Sequence, residues 1–429
     1  MRVLIHTLGC KVNQADSEAL RAMFETAGMT VLADSDLEIP DAVIINSCAV
    51  THRAEQDARK LVRRARRTFP QARIVLGGCL PKVRPGVTQE LIQADAFFTP
   101  NHKADMVAWL TGKQMDLRED ESLVLNPLPR PAQSRRARPL LLIQQGCNQQ
   151  CSYCVVPEAR GPERSMPPDL VRREIASIAQ REAPEIVLTG IHLGRYGRYL
   201  AQKIDLAGLL KSLCQMDLGP KPPRLRLSSL DPDEISEDLA AMFQNEMICP
   251  HVHLALQSAD DHVLKNMNRT YNASTIFKAV QMLRQARPSI TLGSDILVGF
   301  PTEDEPAFER THAMCRDLSL SYLHVFPYSP RPGTPAYSMR TLSPGVVKDR
   351  AAILREQGRV LRNKHMNSLI GQSVEIVVER LDNRGRPRGT TEFYHQAMTS
   401  ASLPYTQTGQ RLGGEVASVQ ENKLIIVPR

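Results

Sequence analysis

The chain has 429 residues, 42% of them hydrophobic, and a formal net charge of +8. That length predicts two or three domains, and that apolar content is ordinary for a globular protein with a sizeable core. The longest apolar runs fall far short of a membrane span and no signal peptide is read, so a cytoplasmic protein without membrane contact is expected. Nine cysteines, an odd number, point in a reducing compartment to metal or redox chemistry rather than disulfides. The positive charge permits a polyanionic partner.

Residues 1–115 alternate strands and helices. Runs 3–7, 42–46 and 73–77 read as short buried strands. Residues 16–27 read as a helix with Asp16 as its N-cap. A second helix follows the second strand, with an apolar face of Ala54, Ala58, Leu61, Val62, Ala65 and Phe69. Its other face carries Arg59, Lys60, Arg63, Arg64, Arg66 and Arg67, which suits solvent or RNA phosphates. The β-α-β-α-β order predicts a doubly wound parallel sheet. Each strand runs into a cysteine: Cys10, Cys48 and Cys79. Sites in such sheets form outside the C-terminal strand edge, so these three cysteines are expected to converge.

Residues 116–138 read as a linker, with Pro127, Pro129, Pro131 and the basic Arg130, Arg135, Arg136 and Arg138, which suit plain solvation as well as contact. An apolar strand at 140–143 leads into Gly146-Cys147-Asn148-Gln149-Gln150-Cys151-Ser152-Tyr153-Cys154. This C-x3-C-x2-C spacing lets three soft thiolates meet on one small object. A structural zinc site takes four ligands, and no fourth Cys or His follows at a usable distance. A [4Fe–4S] cube on three thiolates keeps one iron open. The plainer alternative is a chance cluster of buried thiols. Cys214, Cys249 and Cys315 read as small buried hydrophobes.

From 139 to 366 the alternation resumes. Strands are expected at 140–143, 185–189, 224–228, 251–255, 291–296 and 322–326, with helices between them at 168–182, 207–216, 235–245, 273–285 and 305–318. Six such units predict a partial (β/α)6 barrel with functional groups on the loops after the strands. Those loops carry Thr189, Gly190, Ser229, Gln257 and Asp295. A basic helix at 346–361 leads to residues 367–429, where strand patterns at 373–379 and 423–427 predict a small antiparallel β-barrel. Phe393, Tyr394 and Tyr405 there suit base stacking or a core.

The C-x3-C-x2-C motif resembles the signature of radical SAM enzymes. The run from Thr7 to Glu18, with Asn46-Ser47-Cys48-Ala49-Val50-Thr51 and Gly77-Gly78-Cys79, resembles the N-terminal domain of the radical SAM methylthiotransferases. Within that family, Gly9-Cys10-Lys11-Val12-Asn13-Gln14 resembles the branch acting on N6-threonylcarbamoyladenosine in tRNA. Sister branches act on isopentenyladenosine in tRNA or on an aspartate of a ribosomal protein. The resemblance covers nearly the whole chain and departs from the family pattern at Glu158, Pro162, Ala259 and Thr302.

The resemblance implies a transferase that methylthiolates C2 of that base at position 37 of tRNA. It implies a domain at 1–115 for an auxiliary cluster, a radical SAM core at 139–366 and an RNA-binding TRAM domain at 367–429. Two [4Fe–4S] clusters and S-adenosylmethionine are the implied cofactors. Cys147, Cys151 and Cys154 would hold the radical-generating cluster. Cys10, Cys48 and Cys79 would hold the cluster that carries sulfur. Tyr153, Thr189, Gly190, Ser229, Gln257 and Asp295 are the candidate S-adenosylmethionine contacts. A one-electron donor such as flavodoxin or ferredoxin, and a monomeric state, complete the expectation. Readings of another class are a non-catalytic iron–sulfur RNA-binding redox sensor and a zinc-dependent RNA-binding protein.

Overall fold

The computed structural model describes residues 1–33, 36–86, 93–112, 124–131, 136–403 and 405–429. Five parallel strands form the first sheet: β1 (Arg2–Thr7), β2 (Thr30–Leu32), β3 (Ala42–Ser47), β4 (Arg73–Gly78) and β5 (Ala96–Phe98), in the spatial order β2-β1-β3-β4-β5. The central β3 is buried along its whole length, as befits a sheet covered on both faces. Its alternation splits two cores. Val43 and Ile45 join Ile74 and Leu76 on one side, and Ala42 and Ile44 join Val75 on the other.

The first helix begins at Lys11, with Cys10 as its N-cap, so the expected cap at Asp16 is corrected. Asp16 lies inside the helix, buried between Arg160 at 2.6 Å and Lys103 at 3.1 Å. Two cations from distant segments account for a carboxylate that looks like a cap when read locally. In the second helix, His52–Thr68, the Thr51 side chain accepts from Ala54 N, and Ala58, Val62 and Ala65 are buried. Arg66 is taken by Asp95 at 2.6 Å, whereas Arg63, Arg64 and Arg67 are exposed.

Six parallel strands build the second unit: β6 (Leu140–Gln145), β8 (Glu185–Gly190), β9 (Arg224–Leu227), β10 (His251–Gln257), β11 (Thr291–Val298) and β12 (Tyr322–Pro327). A two-residue β7 (Arg164–Ser165) pairs antiparallel with β6. Bridges Leu225–Ile248 and Leu230–Leu254 join the β7-β6-β8-β9 sheet to β10-β11-β12. Among the described residues no pairing joins β12 to β6, so the barrel is partial. Ile186, Leu188, Leu225, Leu227, Val252 and Leu254 face the main core under the helices. The alternate residues Glu185, Arg224, Arg226, His251 and His253 are buried and polar, and turn to the other face, the barrel interior. Val12 and Ala15 of the first helix join the same main core, which seats the N-terminal sheet against the barrel.

The helix Pro344–Ser368 runs from there to a closed five-stranded barrel of β13 (Ser373–Leu381), β14 (Pro387–Thr391), β15 (Gln396–Thr399), β16 (Arg411–Gln420) and β17 (Lys423–Pro428). β15 and β17 pair parallel, so the expected antiparallel barrel carries one parallel seam. Phe393 is a core residue and Tyr394 stacks on His251, which removes both from the candidate base-stacking surface; Tyr405 is exposed. Cys315 is a core residue, Cys249 is buried beside Glu185, and Cys214 is half-buried.

Of the linker, residues 116–123 and 132–135 lie outside the described residues, Arg135 among them. Arg130 pairs with Glu174 and Arg138 with Glu379, each at 2.6 Å, so these charges brace neighbouring elements rather than stand in solvent. No helix among the described residues is long and apolar enough to cross a membrane.

Candidate catalytic site with two cysteine triads

Cys147, Cys151 and Cys154 lie in the loop that leaves β6. Gly146 takes φ +75°, and a Cβ there would lie 1.8 Å from the Pro162 carbonyl oxygen, so the loop needs glycine. The Cys154 sulfur accepts from Val156 N at 3.4 Å. Arg269 Nη1 donates to Cys151 Sγ at 3.3 Å and Nη2 meets Asp231 at 2.5 Å. Burial pushes the Cys154 thiol up to about 12, and burial also raises Cys151 against the pull of Arg269.

No fourth Cys or His follows the motif at a usable spacing, but a histidine approaches through space. His192 Nδ1 lies 3.5 Å from Cys147 Sγ, brought there from the loop after β8. Its Nε2 meets Glu234 at 2.6 Å and Asp231 at 3.4 Å. Burial alone would lower the pKa of His192, but Asp231, Cys147 and Glu234 together raise it to about 12.

The other candidate contacts are spread around this loop. Thr189 and Gly190 end β8, and Gln257 ends β10 with a left-handed φ of 62°. Ser229 is half-buried after β9. Tyr153 is half-buried and packs edge-on to Phe300, with ring centroids 6.3 Å apart. Asp295 lies deeper, in the middle of β11, 2.8 Å from His253 Nε2 and 3.5 Å from His324 Nδ1.

Cys10, Cys48 and Cys79 follow β1, β3 and β4 at one edge of the first sheet. Cys48 and Cys79 are buried and Cys10 is exposed. Burial first, then the nearby Cys79 and Cys10, push Cys48 up to about 11. Asn13 Oδ1 accepts from Cys10 Sγ at 3.3 Å. Asn13 Nδ2 donates in turn to the Ser47 carbonyl at 3.0 Å, which ties two of the three cysteine loops.

A short helix, Val156–Arg160, joins the two triads. It starts two residues after Cys154, and Val155 and Ala159 pack into the core of the first sheet. Arg160 Nε donates to Cys79 Sγ at 3.2 Å and Nη1 to Asp16 at 2.6 Å, with Arg160 1% exposed. A second buried pair, Arg331 with Glu55 at 3.2 Å, closes the same seam. Sequence reading missed Arg160, Arg269 and Arg331. Nothing local marks them, because each finds its partner across a gap of many residues.

Each triad offers three soft sulfurs, with Cys48, Cys79 and Cys151 buried, Cys147 and Cys154 half-buried and Cys10 exposed, and one guanidinium lies against one sulfur in each. That donor set fits an iron–sulfur cluster: thiolates suit iron, and the arginine offsets the charge that deprotonation creates.

Residues 2–99 match the Uncharacterized protein family UPF0004, and residues 141–315 match the Radical SAM superfamily. The threonylcarbamoyladenosine tRNA methylthiotransferase MtaB of Rickettsia prowazekii is 32% identical over 88% of this chain and 88% of its own. The tRNA-2-methylthio-N(6)-dimethylallyladenosine synthase of Pelotomaculum thermopropionicum is 31% identical over 95% of each chain. In fold, the radical S-adenosylmethionine methyltransferase TsrM of Kitasatospora setae superposes with a TM-score of 0.58, at 16% identity, over 78% of this chain and 76% of that one. Superfamily membership implies S-adenosylmethionine and a [4Fe–4S] cluster. The chain belongs to the radical SAM methylthiotransferases, transferases that modify tRNA.

Proposed function

We propose that this transferase places a methylthio group on C2 of N6-threonylcarbamoyladenosine at position 37 of tRNA. The observation that carries the reading is the Arg160 link, which sets Cys79 of one triad beside the helix that leaves Cys154 of the other. Five similar proteins, from Rickettsia prowazekii to Bacillus subtilis, bear the threonylcarbamoyladenosine name and share 32–33% identity with this chain. They support this branch, and the dimethylallyladenosine synthases, at 30–31% identity, support the sister branch nearly as well.

Cys147, Cys151 and Cys154 would hold one cluster, and Cys10, Cys48 and Cys79 a second. When bound, the first cluster with S-adenosylmethionine supplies one-electron chemistry that opens a C–H bond, and the second supplies the sulfur. The protein's own share is positioning and electrostatics. Arg269 and Arg160 stabilise thiolates at Cys151 and Cys79. Tyr153, Phe300 and Met267 exclude water from beneath the first triad. The strand ends of β8 and β10, with Thr189, Gly190 and Gln257, offer contacts to S-adenosylmethionine, as does Ser229 in the loop after β9.

The domains divide at 1–115, 139–366 and 367–429. The last, a closed barrel with exposed Tyr405, serves as a TRAM module gripping tRNA. A flavodoxin or ferredoxin supplies the electron, and the work is done in the cytoplasm.

Mass spectrometry of nucleosides from total tRNA, with and without the gene, tests the reading. The 2-methylthio-N6-threonylcarbamoyl nucleoside should vanish and its unthiolated precursor accumulate. Unchanged tRNA would overturn the substrate and direct attention to a ribosomal protein aspartate. Loss of the isopentenyl product instead would move the chain to the sister branch.

A further inference from the structure

The interior of the partial barrel holds a polar cluster that the cluster chemistry leaves unused. His251 and Tyr322, the first residues of β10 and β12, meet at 2.7 Å between Nε2 and the phenol oxygen. The same phenol meets His253 Nδ1 at 3.0 Å. His253 Nε2 holds Asp295, which also faces His324. The group is closed at the bottom and open at the top: His251 is 3% exposed, while the His324 side chain is 44% exposed.

Two further segments enter this space. The loop between β14 and β15 plugs one end of the barrel. Arg226 binds its Thr391 and Glu392 carbonyls, and Tyr394 stacks on His251 with centroids 4.4 Å apart. Tyr394 is held at φ 63°, a left-handed conformation that a bulky residue adopts only when its surroundings impose it. From the other side comes Lys11, the residue after Cys10. Its Nζ lies 5.9 Å from the Tyr394 ring centroid.

Lys11 is half-buried, and no carboxylate pairs with it among the described residues. His251 Nδ1 is buried and has no hydrogen-bond partner. Burial would raise the pKa of Asp295, but its contacts with His253 Nε2 and His324 Nδ1 outweigh that, so it stays a carboxylate. Burial favours the neutral forms of His251 and His253, so they offer hydrogen bonds rather than charge. The cluster therefore presents a cation at Lys11, a carboxylate at Asp295 and several hydrogen-bonding atoms, over a floor of aromatic rings. An apolar arm would leave all of these unsatisfied; an arm with a carboxylate and a hydroxyl would meet them.

We infer that Lys11, Tyr394, His253, Asp295 and His324 form the pocket for the amino-acid arm of the substrate base, with Lys11 facing the arm's carboxylate. The inference rests on the threonylcarbamoyladenosine reading and extends it to the residues that set specificity. Because Lys11 follows Cys10 directly, an arm seated there holds the base beside the sulfur-carrying triad. Tyr394 acts as a positioning residue for Lys11, and brings the C-terminal barrel into substrate selection.

The test uses the full-length, reconstituted enzyme and two tRNAs. One carries the free threonylcarbamoyl acid; the other is the same tRNA with that carboxylate converted to its methyl ester. Product is read by mass spectrometry in direct competition, alongside iron and sulfide content. Wild type should prefer the acid by about 100-fold in kcat/KM, the scale of one lost hydrogen bond to a charged group. Lys11→Met should treat acid and ester alike, and Lys11→Arg should restore most of the preference. If Lys11→Met loses iron, Tyr394→Leu takes its place and should reduce the preference several-fold with iron intact. Equal use of acid and ester by wild type would overturn the pocket while leaving the substrate reading standing. So would an undiminished preference in Lys11→Met or Tyr394→Leu. Failure of wild type on both tRNAs would overturn the substrate reading, and the pocket with it.

Discussion

The two cysteine triads reach the same donor set by opposite routes. One lies within a single loop, from Cys147 to Cys154, and needs only that loop's conformation. The other is gathered from Cys10 to Cys79 and needs the register of β1, β3 and β4 to be right. The local triad is tied to the barrel by Arg269 and His192. The distributed triad is tied to Asp16 and to the barrel by Arg160. A local site is therefore vulnerable to changes in one turn, and a distributed one to whatever loosens a sheet.

Substitutions can separate the two. The largest effect is expected at Cys151→Ala. Loss of one of three ligands should abolish S-adenosylmethionine cleavage, with 5'-deoxyadenosine below detection and bound iron reduced by about half. Retained cleavage would remove Cys151 from the radical-generating set.

Next come two of the three glycines that precede a triad cysteine. Gly146→Ala puts a methyl against the Pro162 carbonyl, and Gly78→Ala puts one 2.4 Å from the Ser47 carbonyl at φ +92°. A strained backbone of this kind costs about 1–3 kcal/mol before the clash is counted. The first change should empty the loop triad and stop 5'-deoxyadenosine formation. The second should empty the strand-end triad and leave that formation running. The same iron content and cleavage in both variants would contradict the separation.

Arg160→Met should come third. It removes one member of a buried ion pair, a loss of roughly 3–5 kcal/mol, although Lys103 still faces Asp16. Thermal melting should shift down, and methylthiolation should fall further than S-adenosylmethionine cleavage does. Equal loss of both activities would deny Arg160 its special tie to Cys79.

The smallest effect is a pH dependence far from either triad. His365 Nδ1 and His395 Nε2 meet at 2.7 Å between the long helix and the C-terminal barrel, so one ring must accept. Burial holds them at about 4 and 3, below the ordinary 6.5. The unfolded chain then binds more protons than the folded one below pH 6.5. The stability from this pair is whole above 6.5 and is lost as pH falls toward 4. Melting followed between pH 7 and 4 should show a shift that His395→Gln flattens. An identical slope in that variant would remove the pair from the account.

Much of this was legible in the sequence, for identifiable reasons. All six barrel strands sit within two residues of where apolar runs place them, because a buried parallel strand needs such a run. The strand-end cysteines followed from the rule for open α/β sheets. What stayed hidden was the set of partners that only the fold brings together. Asp16 looks like a cap until Arg160 arrives from the other domain. Tyr394 looks like a base-stacking ring until the hairpin plugs the barrel. His192 approaches Cys147 from the next strand, and no local spacing announces it.

The most direct test is the Cys10→Ala, Cys48→Ala, Cys79→Ala variant, reconstituted anaerobically and given threonylcarbamoyladenosine-containing tRNA. Here 5'-deoxyadenosine and methylthiolated nucleoside are measured in one sample. If the triads divide the labour as described, 5'-deoxyadenosine forms and no methylthiolated nucleoside is found. Methylthiolation at the wild-type level would contradict the division and leave Cys10, Cys48 and Cys79 without a part in sulfur transfer.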